Sequence, residues 1–191
     1  EHTLAKATVF ETGSNVWKKY TAWPPAEAEE MNLYFHTDGT LSFEMPTQNR
    51  IKVYNEYLSD PDNPVPYTNE IRIDRGSDYM YEDQRFCARR PDVLVYQTAI
   101  LQQDLLISGN LTANLFVTTT GDDADFIVKV IDVYPGDATD DSPLPATKMG
   151  GFQLLVRAEV MRYKYGNSFS VQEPTVPKEL TEIKFDIQDA A

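Results

Sequence analysis

The clearest pattern lies in the second half of the chain. Leu111, Ala113, Leu115 and Val117 alternate with Thr112, Asn114, Phe116 and Thr118. A period of two sends one set to a buried sheet face and the other to solvent, so it predicts a half-buried strand. Phe152, Leu154, Val156, Ala158 and Val160 alternate in the same way with Gln153, Leu155, Arg157, Glu159 and Met161. Residues 182–187 alternate again, and 105–109 read as a short strand. Residues 126–133, FIVKVIDV, are almost continuously apolar, the pattern of a strand covered on both faces. These segments predict a core drawn from Leu94, Leu115, Val117, Phe126, Val128, Val130, Leu154, Val156 and Val160.

The first half is more broken. Residues 7–10 predict a short strand, and 12–17 (TGSNVW) a turn-rich loop. Trp17, Tyr20 and Trp23 follow, with Pro24 and Pro25 stiffening the exit. Aromatic rings on a loop fit either a carbohydrate platform or packing against a neighbouring surface. Residues 26–31, AEAEEM, are the only expected helical piece. Leu33, Tyr34 and Phe35 precede Asp38-Gly39, and Leu41 and Phe43 follow, which predicts a hairpin closed by Asp-Gly. Residues 51–57 alternate and read as an edge strand. Residues 59–67, SDPDNPVPY, carry three prolines and cannot pair as a central strand. Short strands, turn residues between them and almost no helix make an all-β sandwich. Residues 1–67 read as an arm that begins the sandwich and 68–191 as its main body, together one domain.

Charge and composition then remove function classes. With 17 basic and 30 acidic residues the net charge is −13, a surface that repels phosphate backbones, so no nucleic-acid partner is expected. No apolar run approaches the ~20 residues of a membrane-spanning helix, and no membrane partner is expected. The lone Cys87 forms no intrachain disulfide. The N-terminal EHTLAKATVF has no secretory pattern and reads like the middle of a longer protein.

Catalytic chemistry is sparse. Only His2 and His36 can serve as imidazole bases, and no G-x-S-x-G is present. His36, in the hairpin, is expected to face solvent. Two acidic groups, Asp122/Asp123/Asp125 and Asp137/Asp140/Asp141, lack the glycine and glutamate spacing of a calcium loop and read as turn chemistry. No metal and no cofactor is expected. Asn110-Leu111-Thr112 is a glycosylation sequon.

The stretch around which the chain is organised is residues 83–98, DQRFCARRPDVLVYQT. Asp83, Arg85, Arg90 and Asp92 fit a corner fixed by bidentate arginine–carboxylate pairs, or a site that grips a substrate carboxylate. Just before it, residues 76–81 (GSDYMY) read as a mobile loop with the apolar tips Tyr79 and Met80.

At these residues the chain resembles a family. Thr12-Gly13 with Asn15 and Trp17, Trp23-Pro24-Pro25, Tyr34-Phe35 with Asp38-Gly39, Ser59-Asp60-Pro61 with Pro64-Val65-Pro66-Tyr67, Asp83-Gln84-Arg85-Phe86, Arg90-Pro91-Asp92 and Gly151-Phe152-Gln153 occur in order. Their order and spacing resemble the C-terminal domain of the serine hydrolases that include X-Pro dipeptidyl-peptidases, cocaine esterases, α-amino-acid ester hydrolases and glutaryl-7-aminocephalosporanic acid acylases. The resemblance implies a non-catalytic, galactose-binding-like jelly roll. Its partner would be an α/β-hydrolase domain of the same parent protein, which carries the catalytic serine, aspartate and histidine. No position here matches that triad, so no catalytic residue is assigned. The resemblance places the stretch holding Tyr79 and Met80 near the substrate pocket. It also implies further closing strands, which this sequence does not include, and allows a homo-oligomer. A periplasmic or secreted parent is favoured over a cytoplasmic one. A carbohydrate-binding sandwich is the alternative.

Overall fold

In the computed structural model, residues 4–47, 53–74, 76–140, 147–166, 168–173 and 176–190 are described. Among them strands dominate, and the one α-helix is four residues long. The fold is all-β. The chain forms two compact units, Glu1–Ala28 with Leu106–Val130 and Val156–Ala191, and Glu29–Leu105 with Ile131–Leu155.

In the first unit β1 (Ala7–Glu11) and β2 (Val16–Tyr20) form an antiparallel hairpin, with Phe10 opposite Trp17. Trp17 and Tyr20 therefore lie on a strand rather than on a loop. Trp17 is 67% exposed, its ring 5.3 Å from that of Phe10. Trp23, beyond the strand, is half-buried and meets Tyr20 edge-on.

The core of this unit is built on the antiparallel pair of β5 (Gly109–Val117) and β8 (Thr181–Ala190). Ile183, Phe185 and Ile187 of β8 are buried while Glu182, Lys184 and Asp186 face out. With Ala113, Met161 and Tyr163 they make one cluster, and Leu115, Val117, Phe126, Val128 and Val130 pack against it. Each such aliphatic or aromatic burial contributes roughly 1.5–3 kcal/mol. The outer faces are paired too. Asn110 and Thr112 donate to the Asp186 carboxylate, and Asn114 to Glu182. At the start of β5, Gly109 has φ +88°, and a Cβ there would stand 2.7 Å from Pro24 Cγ, so only glycine fits.

β6 (Asp125–Val133) and β7 (Gln153–Arg162) pair with each other. Arg162 donates two hydrogen bonds to Asp125, and Lys164 pairs with Asp123 at 2.9 Å.

In the second unit β3 (Tyr34–Phe35) and β4 (Leu41–Ser42) form the expected hairpin, with Gly39 at φ +85°. Thr40 bridges in parallel to Gln97, and the rings of Phe35 and Tyr96 lie 4.5 Å apart. Buried here are Gln84, Cys87 and Phe152.

Several expectations fail. Residues 26–31 contain only a turn closed by the Ala28 N–H on the Pro25 carbonyl. The helix is instead α1, Arg85–Ala88. Residues 53–57 form no strand, and 51–52 lie outside the described residues. β5 starts at Gly109, so 105–108 are irregular. Leu94, 40% exposed, and Val160, 51% exposed, are not core. On β7 the buried phase has moved to Met161 and continues to Tyr163. β6 is not covered on both faces, since Ile127 is exposed.

Candidate functional site

The chemically dense part of the second unit is α1 and the chain on either side of it. The helix is one turn long, too short to persist alone, so its surroundings must hold it. Asp83 does this through one carboxylate. Its Oδ1 accepts the Arg85 N–H at 3.1 Å and the Gln153 N–H at 3.3 Å, and its Oδ2 accepts Arg85 Nε at 2.6 Å. Arg85 Nη1 also donates to the Gly150 carbonyl at 3.2 Å. Burial of Asp83 opposes its ionisation. The hydrogen bonds from the Arg85 side chain and from the Arg85 and Gln153 backbones outweigh this and hold its carboxyl below the ordinary range.

Gln84, 1% exposed, completes the fastening. Its N–H reaches the Gln153 carbonyl at 3.0 Å and its side-chain amide the Glu82 carbonyl at 2.8 Å. The buried Cys87 thiol donates to the Gln84 carbonyl at 3.3 Å. A buried amide meeting its hydrogen bonds locks a unique geometry. Nothing in a run of polar residues singled out Gln84, because burial of a polar side chain leaves no periodic trace.

Past the helix, Arg90 grips Asp92 bidentately, Nε to Oδ1 at 2.8 Å and Nη2 to Oδ2 at 2.6 Å. The same Nη2 donates to the Asn63 carbonyl at 2.9 Å, within the proline-rich segment. Arg90 holds the Asp92 carboxyl below its usual range. Asp83–Arg85 and Arg90–Asp92 are thus two separate pairs, the first at the start of α1 and the second just past its end. Arg89 is exposed and joins no ion pair among the described residues. An open depression of about 400 Å³ lies beside the helix, lined by Asn69, Glu82, Asp83, Arg85, Phe86 and Arg89.

Residues 67–74 and 76–81 carry several local ties. A 3-10 turn, Asp78–Met80, gives it regular structure. Asp78 pairs with Arg72 and accepts the Tyr81 hydroxyl at 2.7 Å. Arg72 also pairs with Glu70 at 3.3 Å, and the Asn69 N–H donates to Glu82 at 3.1 Å. Tyr79 is half-buried, its ring 5.0 Å from Tyr67, and both line a cavity of about 160 Å³ with Arg72 and Asp78. Met80 is exposed and is not part of this lining.

His36 is half-buried, with Nε2 2.9 Å from Ser42 Oγ and 3.2 Å from the Glu44 carbonyl, not solvent-facing as expected. His2 and Asp141 lie outside the described residues. Among the described residues no group of three or more His, Cys, Asp or Glu side chains is placed to hold a metal ion. Among the described residues no helix is long and apolar enough to cross a membrane.

A family model described as the X-Pro dipeptidyl-peptidase C-terminal non-catalytic domain matches residues 2–191. Cocaine esterase from Rhodococcus sp. (strain MB1 Bresler) is 30% identical over 141 residues, 69% of this chain and 24% of the esterase. Among solved structures, an aminopeptidase from a marine sediment archaeon, Thaumarchaeota archaeon, has a TM-score of 0.88 at 35% identity, over 99% of this chain and 30% of that one. A selenomethionine-labelled α-amino acid ester hydrolase has a TM-score of 0.83 at 34% identity, over 96% of this chain and 30% of that one. The chain therefore spans less than a third of each of these relatives.

Proposed function

The chain belongs to the X-Pro dipeptidyl-peptidase C-terminal non-catalytic domain family, and from that premise we propose that it buttresses an α/β-hydrolase domain of its parent polypeptide and shapes the mouth of that domain's active site. The observation that carries this reading is the placement of exposed apolar surface. Most of the large apolar side chains that stand exposed among the described residues fall between 29 and 105. Apolar surface of that extent marks a contact site. The parent would cleave esters or amides through an acyl-serine intermediate formed on the other domain. This chain would supply shape and burial around it.

Within this reading the Asp83–Arg85 and Arg90–Asp92 pairs act as fasteners, since each arginine is already committed to its own carboxylate and to a backbone carbonyl. Tyr79 and Met80 stand at the pocket mouth. In the full-length parent, Tyr79→Ala or Met80→Ala should alter the Michaelis constant or acyl preference while acylation of the nucleophile by a small active-site reagent is unchanged. Wild-type specificity across a substrate panel, with only a lowered melting temperature, would show that the loop merely supports the fold.

Trp17 favours a second reading, a carbohydrate-binding module, because it presents an exposed ring beside Phe10 on a strand. Titration with a glycan panel separates the two. Binding that is lost in Trp17→Ala supports the module, and flat isotherms remove it.

A further inference from the structure

We propose that Ile71 and Ile73 form a two-pronged anchor that seats in an apolar recess on the catalytic domain of the same parent polypeptide. The inference rests on the docking reading above and goes beyond it by naming the residues that engage.

Ile71 is 98% exposed and Ile73 109%, more than any other large apolar side chain among the described residues. Isoleucine is among the residue types most often fully buried, and two standing clear of all protein contact two positions apart are not ordinary surface scatter. A slack loop would fold such side chains back on nearby apolar surface. The chain around them prevents that collapse. Arg72, between the two, is tied to both Glu70 and Asp78. The Thr68 hydroxyl donates to the Glu70 carbonyl at 2.7 Å, and Asn69 is tied to Glu82. The ion pairs are made locally, so the polar groups are satisfied while the apolar ones are held out.

Such bracing lowers the ordering cost of association. The branched Cβ of isoleucine restricts χ1, so little rotamer freedom remains to be lost on contact. These are the properties of a preformed anchor.

The occupant follows from chain length. Cocaine esterase and the ester hydrolase extend well beyond the part this chain matches, which is 24% of one and 30% of the other. A surface on the same polypeptide is met at a high effective concentration, so a contact of two side chains is enough to hold it without a large interface.

The test uses the full-length parent with a photoreactive benzoylphenylalanine in place of Ile73. The expected product is an intramolecular cross-link whose partner peptide lies outside residues 1–191. A cross-link between two copies, a cross-link inside residues 1–191, or none at all would overturn the anchor. An Ile71→Ser/Ile73→Ser variant of the full-length protein supplies a second readout by hydrogen exchange. Amides of residues 67–81 and of the cross-linked peptide should exchange roughly tenfold faster or more, with those of β5 and β8 unchanged. Unchanged exchange at both places would also overturn it. If residues 29–105 are protected in the full-length wild type but position 73 links elsewhere, the anchor fails and the docking reading stands. If residues 29–105 exchange throughout as free surface does, the docking reading itself fails.

Discussion

The β5–β8 pair and the stretch Glu29–Leu105 spend their apolar residues in opposite ways. On β8 the alternation is strict, and Ile183, Phe185 and Ile187 all point into one cluster. Between 29 and 105 comparable side chains, Leu58, Ile71, Ile73 and Ile100 among them, stand in solvent, and the buried positions are Gln84 and Cys87. The first region is held by what it excludes from water. The second is held by what it ties together: Asp83 to Gln153, Arg90 to Asn63, Arg72 to Asp78. Hydrophobic burial is non-directional and stabilises a core, whereas charge-assisted hydrogen bonds fix geometry with modest net stability. A segment that must present a shaped surface to something else needs the second kind of support.

The contrast can be broken in four ways. Phe185→Ala, in the first region, should cost about 3–5 kcal/mol in chemical denaturation, as the loss of a buried ring does. A cost near zero would mean that the cluster is not the core. Gly109→Ala should cost roughly 1–3 kcal/mol, because alanine would have to adopt positive φ and would meet Pro24. Equal stability would show that the start of β5 shifts freely.

Acid should divide the regions without mutation. Asp83 and Asp92 have folded-state pKa values below their unfolded values. Their contribution is complete above the ordinary aspartate pKa and is lost as pH falls through the lowered values. Amides of residues 83–92 should therefore lose exchange protection on acidification before those of β5 and β8, whose buried cluster contains no carboxylate. In Asp83→Asn this acid step should flatten. Simultaneous loss in both regions would contradict the division. The smallest effect is expected at Ile73→Ser in the chain alone, within about 0.5 kcal/mol of wild type, because that side chain touches nothing. A cost above 1 kcal/mol would mean that Ile73 packs within this chain.

The same contrast decides what could be read from the sequence. β5, β8 and the Asp-Gly hairpin were legible because a half-buried strand writes a period of two and a tight turn demands glycine. Val160 was misplaced because the buried phase on β7 changes before Met161, and an alternation count carries no information on where a strand changes face. AEAEEM has helical composition, but six residues cannot pay the nucleation cost without packing, and none is provided. RFCA forms a turn of helix for the opposite reason, because Asp83 and Gln84 hold it. At the candidate site the charge density around Asp83 and Arg90 is visible in the sequence, while the local braces on Arg72 and the exposure of Ile71 and Ile73 leave no periodic trace in the pattern of apolar and polar positions.

The pairing of β5 with β8 also has a consequence in time. Val117 pairs with Thr181 and Gly109 with Ala190, so the whole of β6 and β7 is synthesised between the two partners. At ribosomal rates of about 5–20 residues per second, β5 waits roughly 3–13 s for its partner strand. During that interval its edge is unpaired and Leu111, Ala113, Leu115 and Val117 lack the cluster that later covers them. Contacts so distant along the chain also close slowly. β8 is therefore the strand that closes this pair, and a nascent chain stalled before residue 181 would present an open apolar strand to its neighbours.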